Sequence, residues 1–284
     1  MSIAARRRAS PRAIRLDRSL EALPLFRLSD SADESLLTFT GEGDAGGRWR
    51  VIPGAGERMP GTFDQDVYVE LLRRYHDDGE PADGVISFTL HAFLRAMGRR
   101  VDGRTYEQLR GALARLERTT LESQGMYQTP DGTPDVRFSL LASVAVERRR
   151  TLDREQLTLF PTATSGEPGV ARVTLATVLR ENLAADHVVT LSAASYAALA
   201  SPVARRLYRL LEVARADGRV TWRIGLDRLA EQLPLTQRYP SHLQRVLQPA
   251  HDMLVAQGLL RNAAIRQQQR EWYVDYVLGS RPAG

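Results

Sequence analysis

Between residues 87 and 122 two short amphipathic segments flank a polar, glycine-containing turn. In the second segment Tyr106, Leu109, Leu113 and Leu116 recur at i, i+3, i+7 and i+10, one apolar stripe on a helix. Its other faces carry Arg104, Glu107, Gln108, Arg110, Arg115 and Arg118. Thr105 followed three residues later by Gln108 fits a capping box and marks the start of the helix. A buried helix, a turn and a second helix with arginines outward is the arrangement of a helix-turn-helix. That signal is weak alone, because any three-helix core contains something similar.

The rest of the chain extends the pattern. Residues 36–40 and 48–52 alternate like the strands of a hairpin around the loop GEGDAGG, which no helix follows directly, so it is not a dinucleotide fingerprint. Residues 63–75 place Phe63, Val67 and Leu71 with Tyr68, Leu72 and Tyr75 on a broad apolar helix face. Residues 86–88 read as a short strand. Residues 119–123 and 136–146 are strand-like around the turn TPDG, so three helices and a β-hairpin follow one another in the order of a winged helix. PTATSGEPG (residues 161–169) reads as a linker, residues 175–183 as a helix and 188–191 as a strand.

The order then recurs. Residues 202–214 form a helix with Val203, Leu207, Leu210, Leu211 and Ala214 inward; a strand at 220–224 and a short helix at 226–233 follow. Residues 241–257 repeat the long helix, with Leu243, Val246, Ala250 and Met253 as its stripe and Ser241 with Gln244 as a second capping box. Pro249 inside it predicts a kink or break. Residues 259–265 and 272–278 make a hairpin around the polar tip RQQQR. The chain is therefore read as α+β, with tandem winged-helix domains. A basic disordered arm spans 1–20, an N-terminal winged-helix domain 21–160, linking elements 161–200 and a C-terminal winged-helix domain 201–284.

Composition narrows the chemistry. The 284 residues include no cysteine, which removes disulfides, thiolate metal sites and cysteine nucleophiles. Every one of the 39 Lys+Arg residues is arginine, so the lysine of a P-loop and Schiff-base chemistry are both missing. The five histidines, His76, His91, His187, His242 and His251, form no HxH or HExxH pair, which disfavours a metal-dependent nickase. Asp64 and Asp66 at a helix start are read as caps favoured by the helix dipole rather than as cation ligands. No enzyme activity, cofactor or metal is expected. No apolar run approaches the ~18–20 residues of a membrane span and no secretory core opens the chain, so a cytoplasmic protein is expected.

The net charge of +5 is unevenly placed. Residues 1–20 hold six arginines against one aspartate, residues 95–118 seven against three acids, and residues 201–284 thirteen against seven; residues 21–94 are acidic, with six against fourteen. Two of the three basic blocks overlap the helix-turn-helix candidates, which is the segregation that phosphate binding requires. The arm, with Arg6, Arg7, Arg8, Arg12, Arg15 and Arg18, serves equally as a phosphate or minor-groove contact and as a solubilising tail.

PLFRLSD (24–30), TFDQDVYVELL (62–72), residues 86–123, VRFSLLASV (136–144) and residues 201–218 together resemble the plasmid replication initiator protein A family, a branch of the winged-helix Rep initiators. The most specific runs are DGRTYEQLRGALARLERT and SPVARRLY; the match loosens after Gly218. The resemblance spans residues 24 to 278 and implies two winged helices that bind repeated double-stranded sites, iterons, at a replication origin. It further implies opening of adjacent DNA, recruitment of host initiator and replicative helicase, and a monomer–dimer equilibrium.

In a winged helix the third helix enters the major groove and the wing touches phosphate or minor groove. Arginine suits guanine edges and phosphates, glutamine suits adenine. The expected DNA-binding residues are Arg104, Gln108, Arg110, Arg115 and Arg118 in the first domain. In the second they are Arg238, His242, Gln244, Arg245 and Gln248, with Arg266, Gln267 and Arg270 on the wing. Arg205 and Arg206 fit a phosphate contact and a structural ion pair equally. A winged-helix repressor or partition-type protein without initiator activity would use the same contacts, and an adaptor that binds protein through winged helices would not use DNA at all.

Overall fold

The computed structural model describes residues 13–28, 35–41, 46–146 and 170–279. The described chain opens with β1 (Ala13–Asp17) and α1 (Arg18–Ala22). β2 (Leu37–Thr40), β3 (Arg48–Ile52) and α2 (Thr62–Asp77) follow, then β4 (Val85–Thr89), α3 (Leu90–Ala96) and α4 (Gly103–Arg118). Next come β5 (Thr120–Gln124), β6 (Val136–Phe138), β7 (Leu141–Val146), β8 (Val170–Leu175) and α5 (Thr177–Ala184). β9 (Val188–Ser192), α6 (Ala193–Ala198), α7 (Pro202–Ala216) and β10 (Thr221–Gly225) lead to α8 (Leu226–Gln232), α9 (Pro240–Ala256), β11 (Leu260–Gln268) and β12 (Glu271–Leu278).

Two compact units result. Ala32–Ala184 forms one, and the described residues of Met1–Ser31 and Ala185–Gly284 form the other, so the first is inserted in the sequence of the second. Within the inserted unit, α2, β4, α3, α4, β7 and β8 occur in that order, and the strands form an antiparallel sheet ordered β4-β8-β7. Within the flanking unit, α7, β10, α8, α9, β11 and β12 repeat the order, and the sheet is β10-β12-β11. Identical element order and identical strand order make both units winged helices.

The periodic leucines explain the helices. Leu109, Leu113 and Leu116 are buried together with Phe93 and Leu94 of α3 and with Val67 and Leu71 of α2, and α4 packs on α2, α3 and β7. Burial of each leucine is worth about 2 kcal/mol, which outweighs the ~1 kcal/mol cost of Gly111 in the middle of α4.

The inserted unit adds the antiparallel sheet β2-β3-β5-β6, whose central strands carry the fully buried Trp49 and Leu121. The flanking unit adds the β1–β9 pair, in which Ile14 faces Leu191 and Leu16 faces Val189. Asp17 caps α1 by accepting from the Leu20 amide at 2.9 Å. Arg206 and Arg209 of α7 both reach Glu21 of α1, and Arg206 also donates to the carbonyls of Glu21 and Leu23 at 2.9 Å. All three of these charged residues are buried.

Several expectations are corrected. Of the disordered arm expected at 1–20, residues 13–20 are strand and helix, held by pairing across more than 170 residues of sequence; Arg6, Arg7, Arg8 and Arg12 lie outside the described residues. The first wing is β7–β8, because β8 bonds to β4 and β7, whereas residues 120–124 pair with β3 and β6. The linker at 161–169 lies outside the described residues. Since β8 and α5 fold with the inserted unit, that unit runs past the expected boundary at 160, and β9 and α6 fold with the flanking unit. The first capping box is Asp102 with Thr105, one turn earlier than expected; α9 starts at Pro240 from Tyr239, so Ser241 caps nothing. Leu247 and Leu254 are buried in α9, in place of the expected Val246 and Met253. The helix continues unbroken past Pro249, which is exposed, so its ring projects to solvent while the leucines opposite hold the helix to the core.

Candidate nucleic-acid interface

Asp102 starts α4. Its carboxylate accepts from the Thr105 amide at 2.9 Å, and Thr105 Oγ1 accepts from the Asp102 amide at 3.0 Å. The Thr105 amide also holds the Asp102 carboxyl below its ordinary range, so the cap stays charged and sits favourably on the positive end of the helix. From this anchor Arg104 and Gln108 project into solvent. Arg118, 60% exposed, pairs with Glu57 at 2.9 Å, and Arg110 pairs with Glu107 one turn back. Surface pairs of this kind contribute about 0–1 kcal/mol and exchange readily for a phosphate partner.

Arg115 is a different case. Its guanidinium turns inward and donates Nη2 and Nε to Asp64 at 2.7 and 3.2 Å, with Asp64 itself fully buried. Gly111 makes room for it, since a Cβ there would stand 3.2 Å from the Arg115 terminal nitrogen. Asp64 also accepts from the Gly61 amide at 2.7 Å, which closes the cap of α2. Arg115 is therefore a strut between α4 and α2 and does not belong to the exposed basic face.

The turn before α4 supplies basic residues beyond those expected. Arg100 is 89% exposed and Arg95 at the end of α3 is exposed too. Arg99 donates to Asp66 at 2.7 Å and its guanidinium lies 5.6 Å from the centre of the Phe63 ring, which fixes the turn against α2. Membership of the basic block at 95–118 is the sequence signal for Arg95 and Arg100.

In the flanking unit Arg238, His242, Arg245 and Gln248 are exposed around α9 and the turn that enters it. Gln244 is half-buried at the margin of the apolar face, and Gln248 donates to Asp252 at 2.9 Å. No acid occurs between Glu231 and Asp252. Arg266, Gln267 and Arg270 are exposed at the β11–β12 tip, where Gln268 pairs with Glu271 and Gln269 turns the chain at φ 57. Arg266 lies 3.8 Å from Asp275, whose principal partner is Arg223 at 2.7 Å. The outward faces of α9 and of its hairpin are thus basic together.

Arg206 is structural, as the Glu21 pair shows; Arg205 donates to the Leu199 carbonyl at 2.7 Å and covers the Tyr196 ring at 5.4 Å. Behind α9, His251 and the Tyr276 hydroxyl are hydrogen-bonded at 2.9 Å with both residues buried. Burial lowers the His251 pKa to about 4 against the opposing pull of Asp252, and burial raises that of Tyr276. Among the described residues no group of His, Cys, Asp or Glu could hold a metal ion, and no helix is long and apolar enough to cross a membrane.

Two winged helices, each with a third helix whose outward side is basic, define a protein of the tandem winged-helix class. The chain matches the family described as Replication initiator protein A over residues 15–253; it belongs to that family and is a replication initiator. Its fold is similar to the crystal structure of domains 2 and 3 of RctB, with TM-score 0.58 and 12% identity over 90% of this chain and 95% of that one. It is similar also to the Pi initiator protein crystallised in complex with iteron DNA, with TM-score 0.51 and 12% identity over 95% of this chain and 98% of that one. At such identity the likeness is one of fold. No curated protein sequence matches the chain.

Proposed function

We propose that the chain binds repeated duplex sites at a replication origin, with α4 and α9 each set in a major groove. The observation that carries this reading is the duplication. Two units with one element order present basic third helices, and a protein with two readers binds a composite site more selectively than either reader could alone. Arg104, Gln108, Arg110 and Arg118 serve the first site, joined by Arg95 and Arg100 on phosphates. Arg238, His242, Arg245, Gln248 and the hairpin residues Arg266, Gln267 and Arg270 serve the second, with Gln244 at its edge. The proposed work is binding and local opening of DNA, with host initiator and replicative helicase as partners and a monomer–dimer equilibrium setting the active form.

The test uses the full chain and the direct repeats beside its gene at stated salt. Repeat-selective binding, together with maintenance of a plasmid carrying gene and repeats, is the expected result. Equal affinity for repeats and scrambled duplex would overturn it, and binding without plasmid maintenance would restrict the protein to repression.

A further inference from the structure

The N-cap of α9 is a tyrosine. Tyr239 makes no side-chain cap hydrogen bond, and Pro240 occupies the first turn behind it. Tyrosine is a poor residue there: serine, aspartate or asparagine would satisfy an orphan amide and add about 1 kcal/mol. The other third helix takes that option with Asp102. The Tyr239 ring is also 71% exposed, one of four large hydrophobic residues so placed among those described. A residue that lowers helix stability and leaves an aromatic ring in water breaks two local rules at once, and such breaks collect at functional positions.

The surroundings indicate what the ring meets. His242, also exposed, stands edge-on to it with centroids 5.7 Å apart. Arg238 precedes it and Arg245 follows one turn beyond His242, both exposed, and no carboxylate lies between Glu231 and Asp252. An exposed ring flanked by Arg238, His242 and Arg245 in an acid-free stretch of chain has the composition for an apolar contact made within a polyanion. Apolar docking to another protein is not favoured by that charge. In the major groove the apolar group offered by a base edge is the 5-methyl of thymine.

We propose that Tyr239, supported by His242, is a specificity-determining residue of the flanking unit that packs on a thymine 5-methyl group. This rests on the DNA-binding reading given above. The ring reads a methyl that the neighbouring arginines and glutamines ignore, since those side chains address acceptors and donors.

The experiment starts by selecting duplexes from a random-sequence library with the full chain. Each thymine of the selected site is then replaced by deoxyuridine, which removes only the methyl group. One position is expected at which this substitution weakens binding of the unaltered protein by about 3- to 10-fold, in the range of a single apolar base contact. In Tyr239→Ser that difference disappears, while the melting temperature stays the same or rises because serine caps α9. His242→Ala reduces the difference without removing it. If Tyr239→Ser keeps the full methyl preference at every thymine, the proposal is overturned. If Tyr239→Ser lowers affinity equally for thymine and deoxyuridine sites, the ring is a general contact and the proposal also fails. Failure of the library to yield any preferred duplex would instead overturn the DNA-binding reading itself, so the two failures are distinct.

Discussion

The carboxylate of Asp64 at the start of α2 receives two nitrogens of Arg115 from α4, at 2.7 and 3.2 Å, inside the inserted unit. This pair sets the third helix of the inserted unit on its support. It also divides the arginines of α4 into one that holds the helix and several that face outward. The division yields opposite expectations for neighbouring substitutions.

Asp64→Ala leaves a buried guanidinium with no counter-charge and should cost about 3–5 kcal/mol of stability. Arg104→Ala, on the open face, should change stability by no more than about 0.5 kcal/mol. Urea denaturation of the two variants tests this directly. Equal effects would contradict the geometry described for Arg115.

The Glu21 cluster makes a parallel case in the flanking unit. Arg206 and Arg209 both pair with the Glu21 carboxylate of α1, so Glu21→Ala removes a buried counter-charge shared by two arginines and should cost about 3–5 kcal/mol. Amide exchange should show β1, α1 and α7 losing protection together. Retained protection in α7 with α1 released would mean that the carbonyls of Glu21 and Leu23 matter little to Arg206.

These two clusters mark the limit of what the residue pattern discloses. Apolar periodicity locates α2, α4, α7 and α9, because a buried stripe is written into a helix at fixed spacing. Strand partners are written nowhere locally. The pairing of β1 with β9, or of β8 with both β4 and β7, joins segments chosen by burial and ladder geometry across long stretches of chain. The same holds for arginine. Arg115 and Arg118 sit one turn apart at the rim of one apolar stripe, and only the partner 51 residues away makes Arg115 structural. Tyr239 is hidden in the sequence for a related reason: Ser241 is a better cap by residue type, yet Pro240 sets the helix start ahead of it.

If Arg245 or Arg270 rests on a phosphate, its replacement by alanine should weaken binding to all duplexes alike. The slope of log affinity against log salt should then fall by about 0.9 for each phosphate no longer neutralised. If instead the side chain reads a base, selectivity falls and the slope holds. Arg115→Leu supplies the control: it removes the same formal charge, yet at temperatures where it is folded its slope should match that of the unaltered protein. Titrations at several salt concentrations separate the three outcomes.

His251 gives the flanking unit a predictable acid limb. Buried against Tyr276, its imidazole has a folded-state pKa of about 4, below the 6.5 of an unfolded chain. Between those values the unfolded chain binds a proton that the folded chain refuses, so stability decreases as pH falls from 6.5 towards 4. At pH above 6.5 the contribution is fully present; below 4 both states are protonated and no further change arises from this residue. The width of the window corresponds to roughly 3 kcal/mol at about 1.36 kcal/mol per pH unit. His187, whose pKa burial also lowers, adds in the same direction. Unfolding free energies by urea at pH values stepped from neutral down to about 4 should therefore fall steeply for the unaltered protein. They should fall less for His251→Gln, which starts lower at neutral pH because its amide fits the imidazole site imperfectly. Parallel pH profiles for the two proteins would show that His251 protonates freely in the folded state, contrary to its enclosure between α9 and β12.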